Sequence, residues 1–246
     1  MNMKKNGLLK GIIACIMTVM TTGCEKTDLK KLAEEALQKK YNETFVASDY
    51  KGSRLQGDYY TIYAYSESYP DITFRADVNA DGSDVSDNYA AKRLGMKISD
   101  VAAMSLKDFG GEYFIYSHPM IEDFYTNNAD LSIEEFVSSF PSNTFNINVY
   151  VDRESEDIEK IYDGLSTLPS SLSTMKGSIN VCFVQHGSLK DVQNAIEETD
   201  DLNGDAYKKL MNDSYTIHIP FEKGSVSLTK GQFMNEVKSG VANIPM

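Results

Sequence analysis

The chain has 246 residues, of which 41% are hydrophobic, and a formal net charge of −12 at pH 7. This length allows one large domain or two small ones with a packed core. An acidic surface repels nucleic acid and anionic lipid headgroups, so the composition argues against both as direct partners.

The first 23 residues have the layout of a secretory signal. Lys4, Lys5 and Lys10 form a basic start, and an apolar segment over residues 11–20 follows them. This segment is much shorter than the roughly 20 residues that cross a bilayer, so we expect it to be processed rather than kept as a span. Its removal lowers the formal charge to −15 over residues 24–246.

Small residues stand directly before a cysteine at the end of this signal. Thr21, Thr22, Gly23 and Cys24 resemble the lipobox of bacterial lipoproteins, although leucine is usual where Thr21 stands. The resemblance implies that Cys24 receives a diacylglycerol, with palmitate-type acyl chains, and becomes the first residue. Two acyl chains on one residue anchor a protein stably. The alternatives are an ordinary signal, cut after small residues, and an uncut anchor.

The cysteines predict no disulfide in the mature chain. Cys15 leaves with the signal and Cys24 carries lipid, so Cys182 has no intramolecular partner. Cys182 lies in an apolar, strand-like run over residues 178–185, where a buried and inert thiol is expected.

Apolar spacing predicts an α+β fold, with an N-terminal helix on an antiparallel sheet, followed by a mixed-sheet α/β lobe. We expect an αβββα lobe over residues 24–108, with a helix over 27–41 and strands over 44–48, 58–66 and 72–78. A second helix begins near residue 86 and ends near 106. Residues 109–246 alternate strands with helices, and Ser132 and Glu135 form a capping box at one helix start.

The strand over 58–66 contains a row of tyrosines. Ile62 and Ala64 are its apolar members, so they are predicted to face the first helix together with Tyr60. The remaining tyrosines are then on the outer face and form a candidate platform for a protein or a glycan; they are Tyr59, Tyr63 and Tyr65. The alternatives are that the row is part of the core or only supplies strand propensity.

The segment from Asp77 to Gly82 matches the first half of an EF-hand calcium loop. Asp77, Asn79 and Asp81 have the spacing of its first three ligands, but Asn88 stands where the bidentate carboxylate is required. We favour a tight turn at the end of the strand over 72–78, in which Asp81 and Gly82 supply the positive φ angles, before Asp87 caps a helix. The three residues remain only a weak metal candidate.

No other pattern indicates catalysis or a cofactor. His118, His186 and His218 lie far apart and form no zinc motif, and His218 is predicted on the polar face of its strand. No Rossmann, Walker or Gly-x-Ser-x-Gly pattern occurs. We therefore assign no catalytic residue and expect no cofactor.

These observations favour a lipid-anchored protein on the extracytoplasmic face of the cell membrane, acting as a non-catalytic binding or interaction module of the cell envelope. Its expected partners are the bilayer, through acylated Cys24, and an envelope protein or glycan, but not nucleic acid. The alternative is an extracytoplasmic hydrolase or metal-dependent enzyme with a scattered site, which a cleft holding a perturbed carboxylate or His118 would favour.

Overall fold

The computed structural model describes residues 28–48, 59–120, 128–168, 172, 174–199, 202 and 204–242. Within these ranges the chain forms the predicted α+β fold, with two sheets. The helices are α1 (Leu29–Tyr41), α2 (Tyr89–Ser105), α3 (Ile133–Ser139), α4 (Ile158–Leu165), α5 (Leu189–Thr199), α6 (Asp205–Met211) and α7 (Lys230–Ala242). The strands are β1 (Phe45–Ala47), β2 (Tyr59–Ser66), β3 (Tyr69–Asn79), β4 (Val85–Asp87), β5 (Tyr113–Pro119), β6 (Phe145–Asp152), β7 (Lys176–Val184), β8 (Tyr215–Glu222) and β9 (Ser225–Val226).

Neither the signal nor Cys24 is among the described residues. Of the helices in the described ranges, none combines the length and the apolar character that crossing a membrane requires.

Helix α1 packs on the first sheet, as its apolar spacing predicts. The Asp28 carboxylate accepts a hydrogen bond from the main-chain N–H of Lys31, and Asn42 ends the helix with a φ of +57°. The helix buries Ala33 and Leu37 on its inner side. Its basic last turn also lies near the sheet, because Lys40 forms a 2.7 Å ion pair with Asp87 of β4.

The first sheet is antiparallel, with strand order β1-β2-β3-β4. In β2, Ile62 and Ala64 are fully buried, opposite Ala76 and Phe74 of β3. Tyr60 lies on the same face and is half-buried. The alternation in the sequence therefore predicted the register correctly. Strand β4, which has only three residues, was not predicted.

The second sheet is mixed, with strand order β5-β6-β7-β8-β9, and it confirms the predicted mixed sheet. Strands β6 and β7 are parallel, and every other neighbouring pair is antiparallel. The capping box at α3 is also present, because the Ser132 hydroxyl and the Glu135 carboxylate each accept from the other's main-chain N–H.

Helix α2 connects the two sheets. It contacts β3 of the first sheet and β5 of the second. At Gly95 a Cβ atom would lie 2.1 Å from the main-chain oxygen of Ser117, so only glycine permits this approach of α2 to β5. Buried side chains from both sheets belong to one hydrophobic cluster. The division into lobes 24–108 and 109–246 stays a prediction.

Candidate functional site

The structure places the predicted tyrosine platform on the outer face of the first sheet. Tyr63 lies opposite Arg75, and the Arg75 guanidinium forms a 2.8 Å ion pair with Asp77. Thr61, whose hydroxyl donates to Asp77, separates Tyr59 from Tyr63 along the strand. The surface is therefore mixed in character, and Tyr65 is the tyrosine that adjoins Tyr63 on this face.

The candidate calcium segment forms the turn between β3 and β4. Asn79 Nδ2 donates to Ser83 Oγ at 2.7 Å, and the Ser83 main-chain N–H donates to Asp81 Oδ1 at 2.9 Å. Gly82 has a φ of +70°, as the turn requires, but Asp81 is not among the described residues with a positive φ, so the prediction was wrong for Asp81. Asp77 is instead engaged by the ion pair on the sheet face. Across the described ranges, no three or more His, Cys, Asp or Glu residues are arranged to hold a metal ion.

Cys182 is buried, as its apolar surroundings predict. Burial raises the pKa of its thiol to about 11, and the Thr216 hydroxyl donates to its sulfur at 3.5 Å. A thiolate is the reactive form of cysteine, so this environment keeps Cys182 inert near neutral pH.

A different set of side chains comes together on one face of the second sheet. Directly paired residues share a face, so the strand register arranges them in rows that run across β5, β6, β7 and β8. The first row is Phe114, Tyr150, Cys182 and Thr216; the second row is Tyr116, Asn148, Asn180 and His218; the third row is His118, Asn146, Ser178 and Pro220.

Helices α5 and α6 cover the first row. Leu189, Val192 and Ile196 of α5 pack in one cluster with Tyr150 and Cys182. The second and third rows carry amide, hydroxyl and imidazole groups instead, and we call these two rows the polar floor. Asparagine is seldom buried without hydrogen bonds, so this change of chemistry within a single sheet face needs an explanation.

A chain of hydrogen bonds crosses the polar floor. Asn148 Nδ2 donates to the main-chain oxygen of Tyr116 at 3.3 Å, and Asn180 Nδ2 donates to Asn148 Oδ1 at 2.8 Å. Asn180 Oδ1 then accepts from the Ser178 hydroxyl at 2.9 Å and lies 2.8 Å from His218 Nδ1. Asn148 and Asn180 are only 7% and 8% exposed, so these bonds satisfy buried amides.

This series of hydrogen bonds begins at the main-chain carbonyl of Tyr116, which can only accept. That carbonyl fixes the orientation of every later group in the series. Asn148 must turn its amide nitrogen to Tyr116 and its oxygen to Asn180. Asn180 must therefore turn its oxygen to His218, so Nδ1 of that ring carries the proton. The neutral imidazole then has its acceptor at Nε2, on an exposed side chain.

A cavity of about 590 Å³ adjoins the third row, where the strands end. Its lining includes Asn146, Ser178 and Pro220 of the third row, Lys176 and Glu222 from the strand ends, and Met120. Lys176 and Glu222 are direct partners in the β7–β8 pairing, so opposite charges stand side by side at its rim. The polar floor therefore borders a space that could receive a small molecule.

Two of the three histidines belong to the polar floor. His218 is exposed on the polar face of β8, as predicted, and His118 Nε2 lies 3.5 Å from Asn146 Nδ2. The third, His186, lies 3.0 Å from Asp152 in the turn before α5 and is not part of this face.

Sequence reasoning identified His118 and His218 but missed the asparagines and the serine between them. A signal was present in two strands: Asn146-Ile-Asn-Val149 and Ser178-Ile-Asn-Val181 each place polar residues two apart in an apolar run. Alternation of this kind indicates a strand with one polar face. Because the two segments are 32 residues apart, their lateral pairing was not visible in either one.

Comparisons with known proteins identify no family for this chain. No family model matches it, and no curated protein matches it. Among solved structures, it is similar to the crystal structure of a DUF5037 family protein from Ruminococcus gnavus ATCC 29149. The two share 16% sequence identity with a TM-score of 0.68, over 87% of this chain and 100% of the other. At this identity the likeness shows the fold alone.

Proposed function

We propose that the chain is a membrane-anchored extracytoplasmic lipoprotein that acts as a non-catalytic binding module of the cell envelope. The anchor is argued from the sequence: a basic start, a short apolar segment and small residues before Cys24. The bilayer is then one partner, through the acyl chains on Cys24, and an envelope protein or glycan is the other.

The binding role is carried by the polar floor. A sheet face that served only for packing would continue the apolar chemistry of its first row under a covering helix. The second row instead buries the amides of Asn148 and Asn180. A hydrogen bond between these two amides fixes their orientation, and His218 makes the next hydrogen bond, to Asn180. The same series of hydrogen bonds holds Ser178, which lines the cavity, and a side chain held in place is pre-organised for a ligand because little further ordering is needed on binding.

The same hydrogen bonds argue against the alternative of a hydrolase at this site. A serine nucleophile needs a base that accepts its proton. Here Ser178 and His218 both donate to the same oxygen of Asn180, so the imidazole does not activate the hydroxyl. The carboxylate that lines the cavity is Glu222, and it stands beside Lys176 at the rim. A neighbouring lysine attracts a carboxylate, and this attraction competes with its use as a base for Ser178.

Detergent phase partition and co-sedimentation test the proposal. The full chain, expressed in a bacterial host, should enter the detergent phase, and Cys24→Ala should move to the aqueous phase or accumulate as an uncut precursor. Purified in detergent micelles, the full chain should co-sediment with envelope fragments stripped of protein and lipid, and should release no soluble sugar or peptide from them. A wild-type chain in the aqueous phase overturns the anchor, and degradation of the fragments favours the enzyme.

A further inference from the structure

We infer that the cavity at the polar floor binds a neutral pyranose sugar, as a free oligosaccharide or as part of an envelope glycan. This inference rests on the proposed function and names the ligand class of the binding module. Three features of the described residues carry it: the hydrogen-bonding groups that the floor presents, the balance of charge at the rim, and apolar side chains beside the polar ones.

The polar floor presents a hydrogen-bond acceptor toward the ligand. Ser178 lines the cavity and gives its hydroxyl proton to Asn180, so its own oxygen retains lone pairs. His218 is not among the residues that line the cavity, but its Nδ1 donates to the same oxygen of Asn180 and so helps to hold that amide. The Ser178 oxygen calls for a ligand with hydroxyl donors, which a sugar supplies in number. A ligand with acceptors alone would leave this oxygen unpaired, at a cost in binding free energy.

The charges around the cavity indicate a neutral ligand. Lys176 and Glu222 stand opposite each other on β7 and β8, so the rim has one cation and one anion. Residues 24–246 carry a formal net charge of −15, which repels anionic ligands at long range. A ligand without net charge avoids leaving either rim group beside a like charge.

Apolar surface completes the match to a sugar ring. Met120 is 52% exposed at the cavity, and the Pro220 ring is exposed in the third row beside Ser178. A pyranose has hydroxyls at its edges and C–H groups on its faces, so it can contact both kinds of side chain. The volume of about 590 Å³ falls within the roughly 300–1,000 Å³ that small-molecule sites occupy.

Saturation-transfer difference NMR on the full chain in detergent micelles tests this inference, with empty micelles subtracted. The probes are cellotetraose, chitotetraose and tetragalacturonate, which separate plain, N-acetylated and anionic sugars. At least one neutral probe should bind. Ser178→Ala should weaken that binding about tenfold, as expected for loss of one hydrogen bond, and should lower the melting temperature only slightly, because His218 still donates to Asn180.

Ser86→Ala is the matched control, because it removes a strand hydroxyl from the first sheet and should leave binding unchanged. Binding of chitotetraose alone would point to N-acetylated glycan as the source, and binding of cellotetraose to unsubstituted sugar. The inference is overturned if neither neutral probe binds, if tetragalacturonate binds and Lys176→Ala abolishes that binding, or if Tyr63→Ala abolishes binding that Ser178→Ala leaves intact. If the oligosaccharides fail while envelope fragments still co-sediment with the chain, the ligand class is wrong and the binding module stands.

Discussion

The guanidinium carbon of Arg93 lies 3.5 Å from the centroid of the Tyr69 ring, so a cation of α2 stacks on the first residue of β3. Arg93 is only 2% exposed. It also forms ion pairs with Asp130, at 2.5 Å, and with Glu43, at 3.7 Å, and it donates to the Tyr89 hydroxyl. One side chain thus ties the first sheet to the segment that leads into α3.

We expect Arg93→Met to lower the free energy of unfolding by about 3 kcal/mol, because it removes the stacking on Tyr69 and the hydrogen bonds of a buried guanidinium. Arg93→Lys should lose roughly half as much, since an ammonium keeps the charge but not the planar stacking or the fork of donors. Urea denaturation of both variants measures the difference.

Arg75→Lys is the matched control for this prediction. Arg75 pairs with Asp77 on the outer face, and its side chain is 47% exposed, so the change should cost less than about 1 kcal/mol. Equal losses in Arg93→Lys and Arg75→Lys would show that the buried stacking contributes little to stability.

The burial of Arg93 is a feature that the sequence alone did not predict. Local alternation was enough to predict which side of β2 is buried, because Ile62 and Ala64 mark one face. A helical arginine, by contrast, is ordinarily read as solvated, and its burial depends on Tyr69 and Asp130, which lie 24 and 37 residues away. Those contacts are set by packing between elements, which no local pattern contains.

The polar floor was missed for the same physical reason. Asn148 and Asn180 each lie in a predicted strand, and each looks like a solvated residue when taken alone. Their burial and their mutual hydrogen bond depend on the parallel pairing of β6 with β7, which places the two amides side by side. The short strand β4 was missed because three residues carry too little alternation to be recognised.

The two faces of β2 should respond differently to alanine substitution. Ile62→Ala creates a cavity in a fully buried position and should cost about 2–5 kcal/mol of unfolding free energy. Tyr60 on the inner face and Tyr63 on the outer face are both half-buried, so Tyr60→Ala and Tyr63→Ala should each cost less than Ile62→Ala. Thermal unfolding followed by circular dichroism measures all three, and a larger loss in Tyr63→Ala than in Ile62→Ala would mean that the register is inverted.

Asp152 provides a prediction about pH. Its carboxylate accepts from the main-chain N–H groups of Gly187 and Glu154, both at 2.9 Å, and lies 3.0 Å from His186 Nδ1. Burial alone would raise the pKa of Asp152, but these hydrogen bonds together lower it below its ordinary value. A carboxyl whose pKa is lower in the folded state stabilises the fold above its unfolded pKa of about 3.9, and this contribution is lost as the pH falls through the folded value.

Asp152→Asn should therefore lower the free energy of unfolding by about 1–2 kcal/mol at pH 7, because charge-assisted hydrogen bonds to Gly187 are replaced by weaker ones. The gap between wild type and variant should shrink as the pH falls below about 4, since the native carboxyl then also becomes neutral. Asp157→Asn serves as the control, because Asp157 pairs with Lys160 on the surface and its loss should cost under about 1 kcal/mol at any pH. Urea denaturation at pH 7, 5 and 3 makes the comparison. A gap for Asp152→Asn that is equally large at pH 7 and pH 3 would show that the charge of Asp152 is not what holds the turn before α5.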